Sequence, residues 1–179
     1  MFTVDLMSPK DIFALDLANL DYKTDNYGFQ YYLYYLLNHD SDCFSVHLYN
    51  TEEPKDLPNE YFKYTKNVSA YLIGKHEMDD NLLKGHVTAL SVAPQYRRYN
   101  LATILMNFLE LNGTFCNAYF VDLFVRISNT PAISFYSKNF YKVYRKINNY
   151  YSDPLEDGFD MRKSLPMDKE GKCCIPKYD

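Results

Sequence analysis

Residues 84–125 change periodicity twice, and that change bounds the fold more tightly than any other stretch. Lys84 to Val92 reads as a strand, with β-branched or apolar Val87, Leu90 and Val92 suited to a central position in a sheet. From about Leu101 to Thr114, the apolar residues Leu101, Ile104, Leu105, Phe108 and Leu109 form one stripe at helical spacing. Phe120 to Val125 is then a short, mostly apolar run of the kind found in buried strands. Strand, helix and strand in that order require a sheet with a helix packed against it.

The flanking segments extend the pattern. Phe2 to Asp5 makes a short strand, and Ser8-Pro9-Lys10-Asp11 supplies the cap, first-turn proline and acidic third position of a helix start. Phe13, Leu17 and Leu20 continue that predicted helix, and Phe29, Tyr32, Leu33, Leu36 and Leu37 mark a second one after the polar turn Asp21 to Gly28. Phe44 to Tyr49 reads as a strand, whereas Asn50 to Tyr64, with two prolines and four carboxylates, reads as an exposed insertion. Val68 to Glu77 pairs with Lys84 to Val92 as a hairpin, Thr130-Pro131 opens a fourth helix through Asn139, and Lys142 to Tyr151 closes the sheet. The predicted order is β-α-α-β-β-β-α-β-α-β, an α/β chain with a mixed central β-sheet flanked by helices on both faces. One domain over 1–164, carrying the 50–64 insert, is followed by a polar, loosely held tail over 165–179.

Composition narrows the class of function. The 179 residues, 47% of them hydrophobic, are enough for one buried core, and the formal net charge of −4 provides no general basic field for a nucleic-acid backbone. The opening MFTVDLMSPKD has neither a basic nor an apolar leader region, and no apolar run reaches the roughly 18 residues of a membrane span, so a soluble, cytoplasmic chain is expected. Cys43, Cys116, Cys173 and Cys174 lack metal-ligand or disulfide-framework spacing and are read as reduced thiols, with no metal site. Nineteen Tyr and twelve Phe without a Trp suit a peptide groove and an ordinary core equally well.

The stretch Ser91-Val92-Ala93-Pro94-Gln95-Tyr96-Arg97-Arg98-Tyr99-Asn100-Leu101-Ala102 runs from a strand end through a basic turn into a helix start. Such a turn aims backbone N–H groups and the positive end of a helix at phosphates, with Arg97 and Arg98 adding charge. It resembles the pyrophosphate loop R/Q-x-x-G-x-G/A of GNAT acetyltransferases, with Asn100 where that family usually has glycine and Ala102 keeping the small residue. Asn tolerates left-handed backbone better than other non-glycine residues, so the turn is expected to form. Gly85 to Pro94, Val121 to Arg126, Asn149 to Tyr151, Asp160 to Lys163 and Asp21 to Leu36 further resemble segments of the catalytic subunit of the NatB N-terminal acetyltransferase complex.

That resemblance implies acetyl transfer from acetyl-CoA to the α-amine of nascent chains beginning Met-Asp, Met-Glu, Met-Asn or Met-Gln. It also implies a large helical-repeat auxiliary subunit that carries the enzyme to the ribosome. Leu90, Ser91, Val92, Arg97, Arg98, Asn100, Leu101, Ala102, Thr103 and Asn129 are the implied cofactor-binding residues. Tyr136, seven residues after Asn129 and so about two helical turns on, is the implied acid for the CoA thiolate, with core packing as the competing role. His86 is either a general base or a polar wall that reads the second substrate residue, and Asp25 either holds the substrate ammonium or serves its turn. Tyr27, Gly28, Thr88, Tyr150 and Tyr151 complete the implied substrate-binding set. Adjacent Tyr150 and Tyr151 are expected on opposite faces of a strand. Competing readings are a GNAT enzyme for a small amine or lysine and a CoA-binding subunit made inactive by Asn100.

Overall fold

A computed structural model describes residues 1–20, 27–48 and 68–177. The expected insert at 50–64, and Asp25, lie outside the described residues. Among the described residues, seven strands and three α-helices follow in the order β1 Phe2–Leu6, α1 Phe29–Asn38, β2 Cys43–Leu48, β3 Val68–Asp79, β4 Leu82–Val92, α2 Leu101–Phe115, β5 Phe120–Arg126, α3 Thr130–Lys138, β6 Lys142–Ser152 and β7 Leu155–Ser164. They form one mixed sheet in the order β1-β2-β3-β4-β5-β7-β6. β4 and β5 run parallel, while β1–β2, β2–β3, β5–β7 and β6–β7 are antiparallel. A two-residue turn joins β3 to β4, and both of its residues, Asp80 and Asn81, take left-handed backbone at φ 45° and 65°. That is the geometry a tight hairpin demands, supplied by the residue types that tolerate it.

By packing, the chain forms two compact units. The first comprises Met1–Gly74 with Ala89–Asn107. Its core gathers Met7, Leu15, Ala18, Tyr32, Tyr35, Leu36, Cys43, Val68, Tyr71 and Ile73. The first predicted helix is instead a single 3-10 turn, Asp11–Ala14. Asp11 does accept the backbone N–H of Ser8 at 2.8 Å, as the start signal requires, but it also accepts from Ser45 Oγ of β2 at 3.0 Å. The Ala18 carbonyl is taken by Ser91 Oγ rather than by a later amide of a helix. Leu15 and Ala18 are buried while Phe13 is 75% exposed, so tertiary anchoring overrides the periodicity read from Phe13, Leu17 and Leu20.

The second unit comprises Lys75–Thr88 and the chain from Phe108 onward. It contains a strand absent from the predicted order, β7, which pairs with both β5 and β6. Asp160, Met161 and Arg162 are buried in succession there, a pattern that charged letters conceal. Asp160 is fully covered and accepts from Arg162 Nε at 3.1 Å and Arg145 Nε at 3.2 Å, and the Arg162 guanidinium lies 3.6 Å from the Tyr144 ring centroid. A buried carboxylate is sustainable only with such partners.

Residues 165–177 are docked rather than loosely held. Leu165 is buried and its N–H donates to Tyr119 O at 2.8 Å, while the Lys177 N–H donates to Tyr144 O at 2.7 Å. Asp168 gathers the turn by accepting from Ser164 Oγ at 2.8 Å and from the N–H groups of Lys172 and Cys173 at 2.9 and 3.0 Å. Cys43, Cys116, Cys173 and Cys174 are free thiols, and burial pushes Cys43 up to about 12.

Burial opposes the charge of Asp168, but its hydrogen bonds from Ser164, Cys173 and Lys172 outweigh it and hold the carboxyl below the usual range. Its stabilisation is therefore present above the ordinary carboxylate pKa and is lost as pH falls through the depressed folded value. Asp168→Asn should lower the urea unfolding free energy by about 1–3 kcal/mol at neutral pH with little change in slope. That deficit relative to wild type should shrink on acidification.

Candidate active site

In the first unit the basic turn has a defined backbone. The Ala93 N–H donates to Ser69 O at 2.9 Å, tying the end of β4 to β3, and Pro94–Tyr96 form a 3-10 turn. Arg98 and Asn100 then take φ of 66° and 64°, left-handed positions on either side of Tyr99. Asn100 thus occupies the conformation for which glycine is usual. The Ile104 N–H donates to Asn100 O at 3.1 Å, which begins α2 and leaves the N–H groups of Leu101, Ala102 and Thr103 as the helix's outward donors. Leu101 is buried as an anchor, whereas Ala102 and Thr103 are half-buried. Phe2 packs its ring 5.6 Å from Tyr96 and 5.5 Å from Tyr99, bracing the turn from β1. Arg98 is exposed, and Arg97 Nε reaches Val92 O at 3.4 Å. Ser91 donates its hydroxyl proton to Ala18 O, so that proton is not offered to a ligand. Leu90 and Val92 flank it, half-buried.

Tyr27 stacks on Tyr31 at 4.2 Å and meets Tyr32 edge-on, at the start of α1. Gly28 caps that helix at φ −68°, a conformation open to any residue, and no atom lies within 4 Å of where a Cβ would stand. Nothing among the described residues requires glycine there.

The second unit assembles His86, Phe124 and Tyr150. Period two places Lys84, His86 and Thr88 on one face of β4, and the parallel register sets His86 opposite Asp122 of β5. His86 Nδ1 lies 2.7 Å from Asp122 Oδ1, and Lys84 Nζ donates to Asp122 Oδ2 at 2.8 Å. Burial opposes the Asp122 charge, but His86 and Lys84 outweigh it and hold the carboxyl below its ordinary range. The His86 ring is 5.5 Å from Phe124, and Phe124 is 4.6 Å from Tyr150. Asp122, Lys84 and Phe124 are absent from the sequence-derived site. The available signal was an aspartate in the middle of an otherwise apolar strand.

Tyr150 and Tyr151 do not simply alternate. Asn149 is left-handed at φ 53°, and the β6–β7 register shifts between Ile147 and Tyr151. The two rings meet edge-on at 4.9 Å, and both lie within 3.3 Å of the Cβ that Gly158 lacks. The Arg126 guanidinium covers Tyr151 at 4.1 Å while donating to Asp153 O and Pro154 O at 2.9 and 3.1 Å. A bulge therefore gathers two tyrosines that strand alternation would separate.

Asn129 and Tyr136 differ from expectation in one respect. Asn129 is the N-cap of α3, its side chain accepting the Ala132 N–H at 3.3 Å, so it stands before the first helical residue. Helical spacing therefore does not by itself place it on the face of Tyr136. Tyr136 is buried, and burial pushes its phenol well above the ordinary value, which keeps it protonated. Nearby Tyr141 donates its hydroxyl to Glu110 at 3.0 Å, whereas the Tyr136 hydroxyl makes no hydrogen bond among the described residues. Among those residues, no group of three or more His, Cys, Asp or Glu side chains is arranged to hold a metal ion, and no helix is long and apolar enough to cross a membrane.

The acetyltransferase (GNAT) family model aligns to residues 19–140, a span that contains the left-handed turn into α2. The chain belongs to the GNAT acetyltransferase family. It is similar to the N-terminal acetyltransferase B complex catalytic subunit NAA20 of Arabidopsis thaliana, 42% identical over 177 residues that cover 98% of this chain and 92% of the relative. Its fold matches Chaetomium thermophilum Naa20 in complex with a bisubstrate analogue, with TM-score 0.84 and 30% identity over 98% of this chain and 92% of the other. A NatB acetyltransferase complex bound to CoA and MES matches with TM-score 0.75 and 32% identity over 92% of this chain and 99% of that one.

Acetyl-CoA is the co-substrate of this GNAT enzyme, and the turn suits its phosphates. The amides of Leu101 to Thr103 point outward, Ala102 is small, and Asn100 keeps the required backbone. Acetyl-CoA at a hundred times its Kd should therefore stabilise the folded chain by about 2.7 kcal/mol, read as a rise in Tm. Arg97→Glu with Arg98→Glu should remove that rise and leave the ligand-free Tm nearly unchanged. A full shift in the double variant would take the turn out of the cofactor site.

Proposed function

We propose that this chain is the catalytic subunit of a NatB-type N-terminal acetyltransferase, acting in the cytoplasm on nascent chains that begin Met-Asp, Met-Glu, Met-Asn or Met-Gln. The observation that carries this reading is the 42% identity to a relative named as a NatB catalytic subunit across 98% of the chain, because it spans the turn, β4, β5 and β6 together. Residues 1–164 are the catalytic domain in this reading, with the 50–64 insert within it, and 165–179 follow as an appended segment. A large helical-repeat auxiliary subunit binds the chain and carries it to the ribosome, and the net charge of −4 suits a subunit that does not itself bind nucleic acid.

Each step falls to a named group. Arg97, Arg98 and the amides of Asn100 to Thr103 hold the CoA phosphates, and Asn129 steadies the pantetheine arm. Acetyl-CoA supplies an acyl group on a thiolate leaving group. A free α-amine has a pKa of about 7.7–8, so a fair fraction is neutral and only a mild base is needed. His86 accepts the proton of the remaining ammonium, directly or through water, or else lines the wall that meets the second residue. The amine nitrogen then bonds to the acetyl carbonyl carbon, backbone N–H groups of Leu90 to Val92 stabilise the oxyanion, and the carbon–sulfur bond breaks. Tyr136 gives its phenolic proton to the departing thiolate, and the proton lost from the new amide nitrogen returns to Tyr136 through solvent. Tyr27, Gly28, Thr88, Tyr150 and Tyr151 enclose the first two substrate residues, with Asp25 beside the ammonium.

A panel of N-terminal peptides, with and without the auxiliary subunit, tests this reading. Met-Asp and Met-Glu peptides should exceed Met-Leu by at least about tenfold in kcat/KM, since a polar pocket left unpaired rejects an apolar side chain. Equal rates on Met-Asp and Met-Leu would end the NatB assignment. Tyr136→Phe should lower kcat by about 10²-fold with little change in peptide KM, as expected of an interaction made in the transition state. Unchanged turnover would return Tyr136 to the core.

A further inference from the structure

His86 faces Asp122 across the β4–β5 ladder, and Asp122 has no other freedom. Its side chain is 1% exposed, and its two oxygens are divided between His86 Nδ1 at 2.7 Å and Lys84 Nζ at 2.8 Å. Lys84 in turn lies 3.5 Å from Glu77 of β3, so the carboxylate sits within a closed set of charges rather than beside one mobile partner. A buried carboxylate flanked by an ammonium stays ionised, and an ionised carboxylate can only accept hydrogen bonds. The atom it faces must therefore carry a proton in either state of the ring.

We propose that Asp122 is a positioning residue that fixes His86 as the Nδ1–H tautomer and presents Nε2, on the far side of the ring, as its one adaptable atom. This rests on the reading of His86 as a group that meets substrate. Neutral His86 then offers a lone pair at Nε2 and cannot donate to a carboxylate. Protonated His86 offers an N–H at the same position. The two uses left open for His86 thereby become two charge states of one fixed ring. Taking a proton from the substrate ammonium needs the neutral form, and donating to an acidic second residue needs the protonated one. An amide second residue can instead donate its own NH₂ to the neutral ring. The groups facing the ring from its neighbouring strands are Asp122 and Phe124 on β5, with Lys84 beside it on β4, Glu77 on β3, and Tyr150 behind Phe124.

Nitrogen-15 NMR of the full chain with labelled histidine reads the tautomer without reference to activity. The neutral His86 ring should show a protonated Nδ1 with a strongly downfield proton and an unprotonated Nε2. A neutral ring protonated on Nε2 overturns the proposal, whatever any variant does. Asp122→Asn, whose amide can donate as well as accept, should abolish that signature and lower kcat/KM for a Met-Asp peptide by at least about tenfold. The Tm rise with acetyl-CoA should persist in that variant. Unaltered kinetics and an unaltered His86 spectrum in Asp122→Asn would leave Asp122 a purely structural residue and end the proposal. A wild-type chain that carries the signature yet acetylates no peptide would remove the NatB reading while leaving the His86 tautomer assigned.

Discussion

The register between β4 and β5 is the constraint on which the second unit depends. The two strands pair in parallel from Lys84↔Phe120 to Val87↔Leu123, and within those four pairs His86 meets Asp122. A parallel register cannot slip by one residue without sending every side chain to the opposite face. Such a slip would separate Lys84 and His86 from Asp122 and leave a carboxylate in the interior without partners. The ladder and the polar cluster thus enforce each other. Burial makes the mismatched arrangement expensive, and the matched one fixes where Phe124, two residues on, meets His86.

Tyrosine serves several physical ends here. Tyr32 and Tyr71 sit in the first unit's core with their hydroxyls 3.2 Å apart, and Tyr71 donates to Asn19 at 2.6 Å, so buried phenols are satisfied by each other and by an amide. Tyr141 spends its hydroxyl on Glu110, and Tyr144 lends its face to Arg162. Tyr136 is buried like these yet keeps its hydroxyl outside the described hydrogen bonds. That difference is what the acid role proposed for Tyr136 requires.

Left-handed backbone recurs at two turns, one in each unit. Asn100 and Arg98 take left-handed geometry to open α2, and Asn149 takes it to bulge β6. In each case a polar residue accepts a conformation that glycine would adopt more cheaply. Gly158 makes the complementary provision by leaving space for two tyrosine rings.

Read without coordinates, the chain displays its α/β class, because strand and helix periodicities are local properties that follow from side-chain geometry alone. The turn from Pro94 to Ala102 is legible for the same reason: a basic turn before an apolar helical stripe has few conformational solutions, and Asn at 100 is compatible with the one adopted. The helix predicted after Ser8 and the strand at 155–164 were misread because long-range partners decide them. Asp11 is claimed by β2, and Asp160 and Arg162 are buried only because each compensates the other. The same holds for the site. Tyr136 and His86 can be named from sequence by resemblance, but nothing local reveals that Asp122 supports His86, that Asn129 caps a helix, or that a bulge unites Tyr150 with Tyr151. Those relations are set by strand register and by the need to satisfy buried charge, and both exist only once the sheet has formed.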